Sequence, residues 1–155
     1  MTVSATPPAL DALLQEAGRT WDDPPCARAL IEQALRDFPD AEAAYVAAYR
    51  YYFYQHDHLR AVEIAEQCLV RLQAELGLPD DWRTLTANGQ DFADFERPRH
   101  RFLLFALSAY AYLLARLGRQ AEADQAYAVL RGLDPADRFG ADRWRAVLSG
   151  GPDAD

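Results

Sequence analysis

The densest basic cluster of this acidic chain is the run Arg97-Pro98-Arg99-His100-Arg101. Because Pro98 is tolerated in the first turn of a helix, the cluster lies at a predicted helix N-terminus, where backbone N–H groups also favour anions. A phosphate or an acidic peptide could therefore bind to Arg97, Arg99 and Arg101. The alternative is that these arginines pair with the neighbouring acids Asp91, Asp94 and Glu96.

Two histidines, His56 and His58, raise the question of a metal site. Two positions apart in a helical turn, their rings would point about 200° apart, which makes a shared ion awkward. The sequence contains no phosphate-cradling glycine loop, no G-x-S-x-G motif, no helical metal-ligand motif and no Cys/His nucleophile arrangement. We therefore expect no metal, no cofactor and no catalytic residue, and a protein that is not an enzyme.

The segment Tyr49 to Tyr54 is unusually aromatic, with Arg50 as its one other residue type. Five aromatic residues in six positions cannot all face one side of a helix. Tyr49 and Tyr52, together with Tyr45, are predicted to pack on neighbouring helices, whereas Tyr51 points elsewhere and Phe53 and Tyr54 face outward. Either this helix is covered on most sides, or it presents a protein-binding surface, since Tyr and Arg dominate such surfaces.

The composition is that of one globular domain. The 155 residues carry a formal net charge of −8, which disfavours nucleic acid and anionic membrane surfaces as partners. No stretch reaches the roughly 18 uncharged apolar residues that span a bilayer, and no leader pattern precedes the first helix. We therefore expect a cytoplasmic protein. Cys26 and Cys68 fall in helical patterns and are expected to be reduced, packed side chains.

Apolar residues recur with helical spacing along most of the chain and predict three helix pairs. The first two pairs occupy residues 8–76, and the third occupies residues 98–134. The segment at 77–97 breaks this rhythm, and its aromatic residues predict a short helix or a packed loop. A capping helix at 135–148 and a flexible tail at 149–155 complete the predicted single domain.

A short motif recurs after 34 residues: Glu32-Gln33-Ala34-Leu35 reappears as Glu66-Gln67-Cys68-Leu69, and Ala27 reappears as Ala61. A period of this length is typical of stacked helix–turn–helix arrays. Small residues have a steric purpose in such arrays, because antiparallel helices approach closely only where their side chains are small. The repeat therefore predicts helix pairs that stack on one another.

This pattern resembles the tetratricopeptide repeat family, whose paired helices carry small residues where they cross and often a proline after the second helix. Gln73 stands where the second unit would have its proline. The resemblance covers roughly Pro8 to Pro135 without the segment at 77–97, which is an insertion between the second and third pairs. It implies an all-α solenoid with a C-terminal cap. The residues that carry it are Ala27, Ala34 and Pro39, then Ala61 and Cys68, then Ala123, Tyr127 and Pro135.

The resemblance implies that the first helices of the pairs line a concave groove for a peptide or a partner helix. An adaptor or assembly scaffold is therefore expected. Arg recognises carboxylates with two parallel hydrogen bonds and Tyr offers area with a polar tip, so the partner should be acidic. Two alternatives stay open: Arg50 and Arg116 pair with the chain's own acids, or the aromatic face mediates homo-oligomerisation. The projected groove residues are Arg19, Arg50, Phe53, Tyr54, Tyr112 and Arg116.

Overall fold

A computed structural model describes residues 6–94 and 96–142. Over these residues the regular elements are helices and no β-strand occurs, so the predicted all-α class is confirmed. The described elements, in chain order, are α1 (Pro8–Arg19), α2 (Pro24–Asp37), α3 (Glu42–Tyr54), α4 (His58–Glu75), a short 3₁₀ helix (Trp82–Thr84), α5 (Pro98–Arg116) and α6 (Gln120–Leu133).

The chain divides into two compact units, Met1–Asp57 and His58–Asp155. Unit 1 contains α1 to α3, and unit 2 contains α4 to α6 with the 3₁₀ helix. The boundary falls between α3 and α4, the two helices of the second predicted pair. The sequence offers no sign of this boundary, because the 34-residue repeat continues from α2 in unit 1 to α4 in unit 2.

In unit 1, α2 packs against both α1 and α3. Its first turn holds Pro24 and Pro25, and the carboxylate of Asp23 lies 3.5 Å from the backbone nitrogen of Cys26 as a helix cap. The small residues Ala27 and Ala34 of α2 are completely buried. Their size permits the close approach of the neighbouring helices.

In unit 2, α5 is the central helix, because both α4 and α6 pack against it. Leu103, Leu107 and Leu113 are completely buried. The small residues Ala61 of α4 and Ala123 of α6 are also completely buried. The burial of α5 on most sides explains its long apolar sequence.

Three helices end in the same backbone pattern, the Schellman motif. After α5 the N–H of Gly118 donates to the carbonyl of Ala115 at 3.0 Å, and the N–H of Arg119 donates to the carbonyl of Leu114 at 2.9 Å. The residue after the cap must adopt a positive φ, which is +79° for Gly118. The same position after α3 is held by His56, whose φ of 59° is uncommon for a residue with a side chain.

Residues 77–94, together with 96 and 97, form a loop that packs on the helices of unit 2. The 3₁₀ helix of this loop contacts both α4 and α6. Asn88 and Gly89 form a turn, and both have a positive φ. The loop contributes its own core side chains, which are Trp82, Leu85, Phe92 and Ala93.

Gln73 fastens this loop to α4. Its side chain is only 1% exposed, and its Nε2 donates to the carbonyls of Pro79 at 2.7 Å and Asp80 at 3.1 Å. A proline at this position would interrupt α4, which continues to Glu75. The departure from the repeat pattern at Gln73 therefore has a physical reason, the attachment of the insertion.

The capping helix predicted at 135–148 is wrong at its start. Residues 135–140 form two turns, and helical backbone begins at Ala141. The buried carboxylate of Asp134 holds these turns by accepting the N–H groups of Arg138 at 3.1 Å and Phe139 at 3.0 Å. The remainder of the predicted helix, 143–148, and the predicted tail, 149–155, lie outside the described residues.

Candidate functional site

The aromatic run of α3 divides between the core of unit 1 and solvent. Tyr51 and Tyr52 are buried and donate their hydroxyls to α2, to the carbonyl of Pro24 at 3.2 Å and to the carboxylate of Glu32 at 2.8 Å. Tyr54, by contrast, is 58% exposed. Hydrogen bonds to the hydroxyls are what allow two tyrosines to be buried here.

One part of the orientation predicted for α3 is wrong. Tyr51, expected to point away from the packed side, is only 2% exposed and meets Trp21 edge to face with ring centroids 5.3 Å apart. Tyr49, expected in the core, is half-buried and stacks on Phe53 at 6.0 Å. Tyr45 and Tyr52 are buried as expected. The exposed ring of Trp21 provides the cover for Tyr51 that the sequence did not suggest.

The outward side of α3 carries Arg50, Phe53 and Tyr54, which we call the α3 stripe. Arg50 and Tyr54 are exposed, and Phe53 is half-buried. Phe53 meets Tyr54 edge to face at 5.7 Å, so its contacts with Tyr49 and Tyr54 hold the ring in place. Among the described residues, Arg50 forms no ion pair or hydrogen bond through its side chain.

The outward side of α5 is a single line of residues, which we call the α5 stripe. From Phe102 to Leu114 the only side chains that are not buried are Phe105, Ser108 and Tyr112. The stripe occupies about 100° of the helix circumference. Its members are Arg101, Phe105, Ser108, Tyr112, Ala115 and Arg116.

Arg116 is the cation at the C-terminal end of the α5 stripe. It is exposed, and within residues 6–94 and 96–142 its side chain forms no ion pair or hydrogen bond. Arg50 has the same status, so the expectation that both pair with the chain's own acids is not met among these residues. Arg19 differs, because it pairs with Glu16 at 3.2 Å in a well-exposed geometry. Such exposed pairs contribute little stability and are easily exchanged for another partner.

The basic cluster at the start of α5 serves the packing of the insertion. Arg99 pairs with Glu75 of α4, and Arg97 donates to the Oε1 of Gln90 at 3.2 Å. Asp91, considered above as a partner of this cluster, instead lies 3.6 Å from the guanidinium of Arg138. The engagement of Arg99 with Glu75 weakens the case for an anion site at Arg97, Arg99 and Arg101.

His100 belongs to the same contact between α5 and the insertion. Its Nε2 lies 3.0 Å from the Oε1 of Gln90, and its ring meets the buried ring of Phe92 edge to face at 5.0 Å. Burial first, and the positive charge of Arg97 second, lower the pKa of His100 below its ordinary value of 6.5. The neutral imidazole is therefore the form that suits this contact.

A polar group that the sequence did not reveal surrounds Tyr110. Burial and the negative charge of Glu66 raise the pKa of Tyr110, whose ring meets Trp82 edge to face at 5.7 Å. Nearby, Arg119 and Glu122 form two hydrogen bonds of 2.9 and 2.7 Å, which lower the pKa of Glu122. These residues come from α4, the 3₁₀ helix, α5, α6 and the turn before α6, so only the folded chain brings them together.

Neither metal nor membrane chemistry is indicated by the described residues. Over 6–94 and 96–142 no group of three or more His, Cys, Asp or Glu side chains could hold a metal ion. No helix within these ranges is both long and apolar enough to cross a bilayer. Within the described residues no disulfide joins Cys26 and Cys68, and Cys68 is buried as expected. Cys26 is exposed, so the prediction that it packs in the core is wrong.

Comparison with known proteins leaves the family open. No family model and no solved structure matches the chain. A similar protein of Azotobacter chroococcum mcd 1, named "Uncharacterized 19.8 kDa protein in nifW 5'region", is 35% identical over 114 residues. The match covers 72% of this chain and 62% of the relative. The chain thus spans less than two thirds of the relative's length, and the relative's name states no activity.

Proposed function

We propose that this chain is a protein-interaction module rather than an enzyme, and that the α3 stripe and the α5 stripe bind acidic segments of partner proteins. One observation carries the proposal. Arg50 and Arg116 are exposed without an ion pair among the described residues, and each lies on a stripe with aromatic side chains. Arginine beside aromatic rings is the composition of the residues that dominate binding energy in protein interfaces.

The other arginines show why this is informative. Seven of the 14 arginines in the described residues pair with acids of the chain, and Arg50 and Arg116 belong to the other half. The paired arginines are Arg19, Arg60, Arg83, Arg99, Arg119, Arg131 and Arg138. Arg28 and Arg36 of α2 are also exposed without a described ion pair, but no aromatic side chain is exposed on that helix.

Because of the net charge of the chain, electrostatic attraction to the proposed acidic partner acts only at short range. At −8 the whole chain repels an acidic partner at long range, so attraction to the stripes must act at short distance. Added salt screens the long-range repulsion as well as the arginine contacts. We therefore expect the measured affinity to fall less steeply with salt than it would for a basic protein.

The proposal is tested by capture of partners from a lysate of the source organism, with identification by mass spectrometry. Arg50→Ala/Tyr54→Ala and Phe105→Ala/Arg116→Ala each disrupt one stripe and remove one positive charge, and the control Arg36→Ala removes one positive charge from α2. The A. chroococcum relative is named for the nifW 5' region, so the nifW product is a defined candidate to test for capture in the same assay. Loss of a partner with a stripe variant but not with the α2 control supports the proposal.

Circular dichroism and thermal unfolding establish that each variant is folded before capture is compared. Equal recovery of all partners by both folded stripe variants and the control would contradict the proposed function. Light scattering on the same samples addresses the rival reading: an oligomer that a stripe variant converts to a monomer would show that the partner is a second copy.

A further inference from the structure

The α5 stripe has a large–small–large profile. Phe105 is 37% exposed and stacks on the buried Phe102, with ring centroids 6.0 Å apart and planes inclined by 17°. Tyr112 lies seven residues, or about two turns, further along and is partly exposed, and Ser108, which carries only a hydroxymethyl group, lies between these two positions. Because the serine side chain is short, we expect a notch in the stripe at Ser108, between two residues whose positions lie about 10 Å apart along the helix axis.

The path of the stripe matches a second helix better than an extended chain. Its residues follow the axis of α5 for about 22 Å from Arg101 to Arg116. The steps from Ser108 to Phe105 and to Tyr112 are about 4.5 and 6 Å, the distances that separate residues on one face of a helix. Same-side residues of an extended chain lie about 6.7 Å apart and would fall out of step with this profile.

Charge fixes the register of the partner. Arg116 lies eight residues beyond Ser108, or about 12 Å along the helix axis. On a partner helix, a carboxylate seven residues from an apolar residue lies on the same face and about 10.5 Å away. The long side chain of arginine spans the small difference and offers a carboxylate two parallel hydrogen bonds.

We infer that the α5 stripe takes an amphipathic α-helix of a partner protein, an inference that rests on the protein-binding function proposed above. A large apolar residue of that helix enters the notch at Ser108 between Phe105 and Tyr112. An Asp or Glu seven residues away along the partner helix pairs with Arg116. The ligand of unit 2 is thus an acidic helix of defined register and not an acidic peptide in general.

Two synthetic peptides test the register, with fluorescence anisotropy as the readout. Both have an Ala/Gln helical host with one central Leu and one Glu. In the first peptide the Glu is seven residues from the Leu. In the second it is five residues away, which turns the carboxylate about 140° from the Leu. We expect the first peptide to bind about tenfold more tightly than the second, as one charge-assisted contact supplies.

Protein variants connect that difference to the stripe. Arg116→Ala should remove the difference between the two peptides, whereas Arg36→Ala, the matched loss of an exposed arginine, should preserve it. Ser108→Leu fills the notch from a partly exposed position and should weaken both peptides by about tenfold or more. An unfolding curve of Ser108→Leu that matches the parent protein shows that the loss concerns binding and not folding.

Other outcomes overturn the inference in distinguishable ways. Equal affinity for the two peptides contradicts the register, and equal affinity for a proline-containing version contradicts the helical ligand. If neither peptide binds but partner capture still depends on Phe105 and Arg116, this inference fails and the proposed function stands. If capture is also unaffected, both fail. A dimer that Ser108→Leu dissociates, without peptide binding, would make a second copy the occupant and overturn the acidic partner helix.

Discussion

The helices α3 and α5 have similar outward surfaces, but their buried sides differ in composition. Each exposes an arginine without a described ion pair beside aromatic side chains. The covered side of α3 is rich in tyrosine, and Tyr51 and Tyr52 donate hydrogen bonds to α2. The covered side of α5 is mainly leucine and alanine. Along its middle α5 is therefore held by hydrophobic burial, with polar contacts at its N-terminal end through Arg99 and His100, whereas the middle of α3 needs polar partners on α2.

The largest expected effect separates the two sides of α5. Leu107→Ala should lower the free energy of unfolding by about 2–5 kcal/mol, because Leu107 is completely buried and its loss leaves a cavity. Phe105→Ala on the stripe should lower it by no more than about 1 kcal/mol, since only the partly exposed stack on Phe102 is lost. Urea unfolding measures both changes. Similar losses would show that the stripe is part of the core.

The corresponding pair on α3 should differ through a hydrogen bond. Tyr52→Phe should lower the free energy of unfolding by about 1.5 kcal/mol, because it removes the hydroxyl that donates to Glu32 at 2.8 Å in a buried position. Tyr54→Phe, on the exposed ring, should change it by less than about 0.5 kcal/mol. A neutral Tyr52→Phe in urea unfolding would mean that α3 is held by apolar burial, as α5 is.

The contrast between the two helices also explains what could be predicted from the sequence. On α5, projection of the repeat pattern assigned Tyr112 and Arg116 to an outward side, and both are at least partly exposed. On α3 nearly every position is aromatic, and periodicity cannot rank one tyrosine above another. Tyr51 was misassigned because its contacts are with distant residues, Trp21 in the turn before α2 and Pro24 at the start of α2. Such contacts cannot be predicted from the spacing of residues within α3.

Other features depend on contacts that arise only in the folded chain. The start of the expected capping helix was misplaced because Pro135 and the acids around it are typical of a helix start, yet the carboxylate of Asp134 stabilises turns instead. The surroundings of Tyr110 draw on Glu66 and Trp82, which are distant in sequence. Gln73 was noted as a departure from the repeat, but its role followed only from its bonds to Pro79 and Asp80.

The smallest expected effect compares the C-terminal turns of the two helices. Both end in the same motif, with His56 after α3 at a φ of 59° and Gly118 after α5 at +79°. A side chain at such a φ is strained, whereas glycine is not. Gly118→Ala should therefore lower the free energy of unfolding by about 1 kcal/mol. His56→Gly should raise it by about 0.5–1 kcal/mol, because relief of strain exceeds the added flexibility of the unfolded chain.

Paired urea unfolding of these variants with His56→Ala as the control separates backbone strain from loss of the imidazole. His56→Ala keeps the strained backbone and removes the imidazole, so it should not stabilise the protein. If His56→Gly and His56→Ala are both destabilising, contacts of the imidazole outweigh the strain at the end of α3. In that case the histidine, which the turn alone does not favour, holds this position through its side chain. The end of α3 would then depend on side-chain contacts, as its buried side does, whereas the end of α5 depends on glycine.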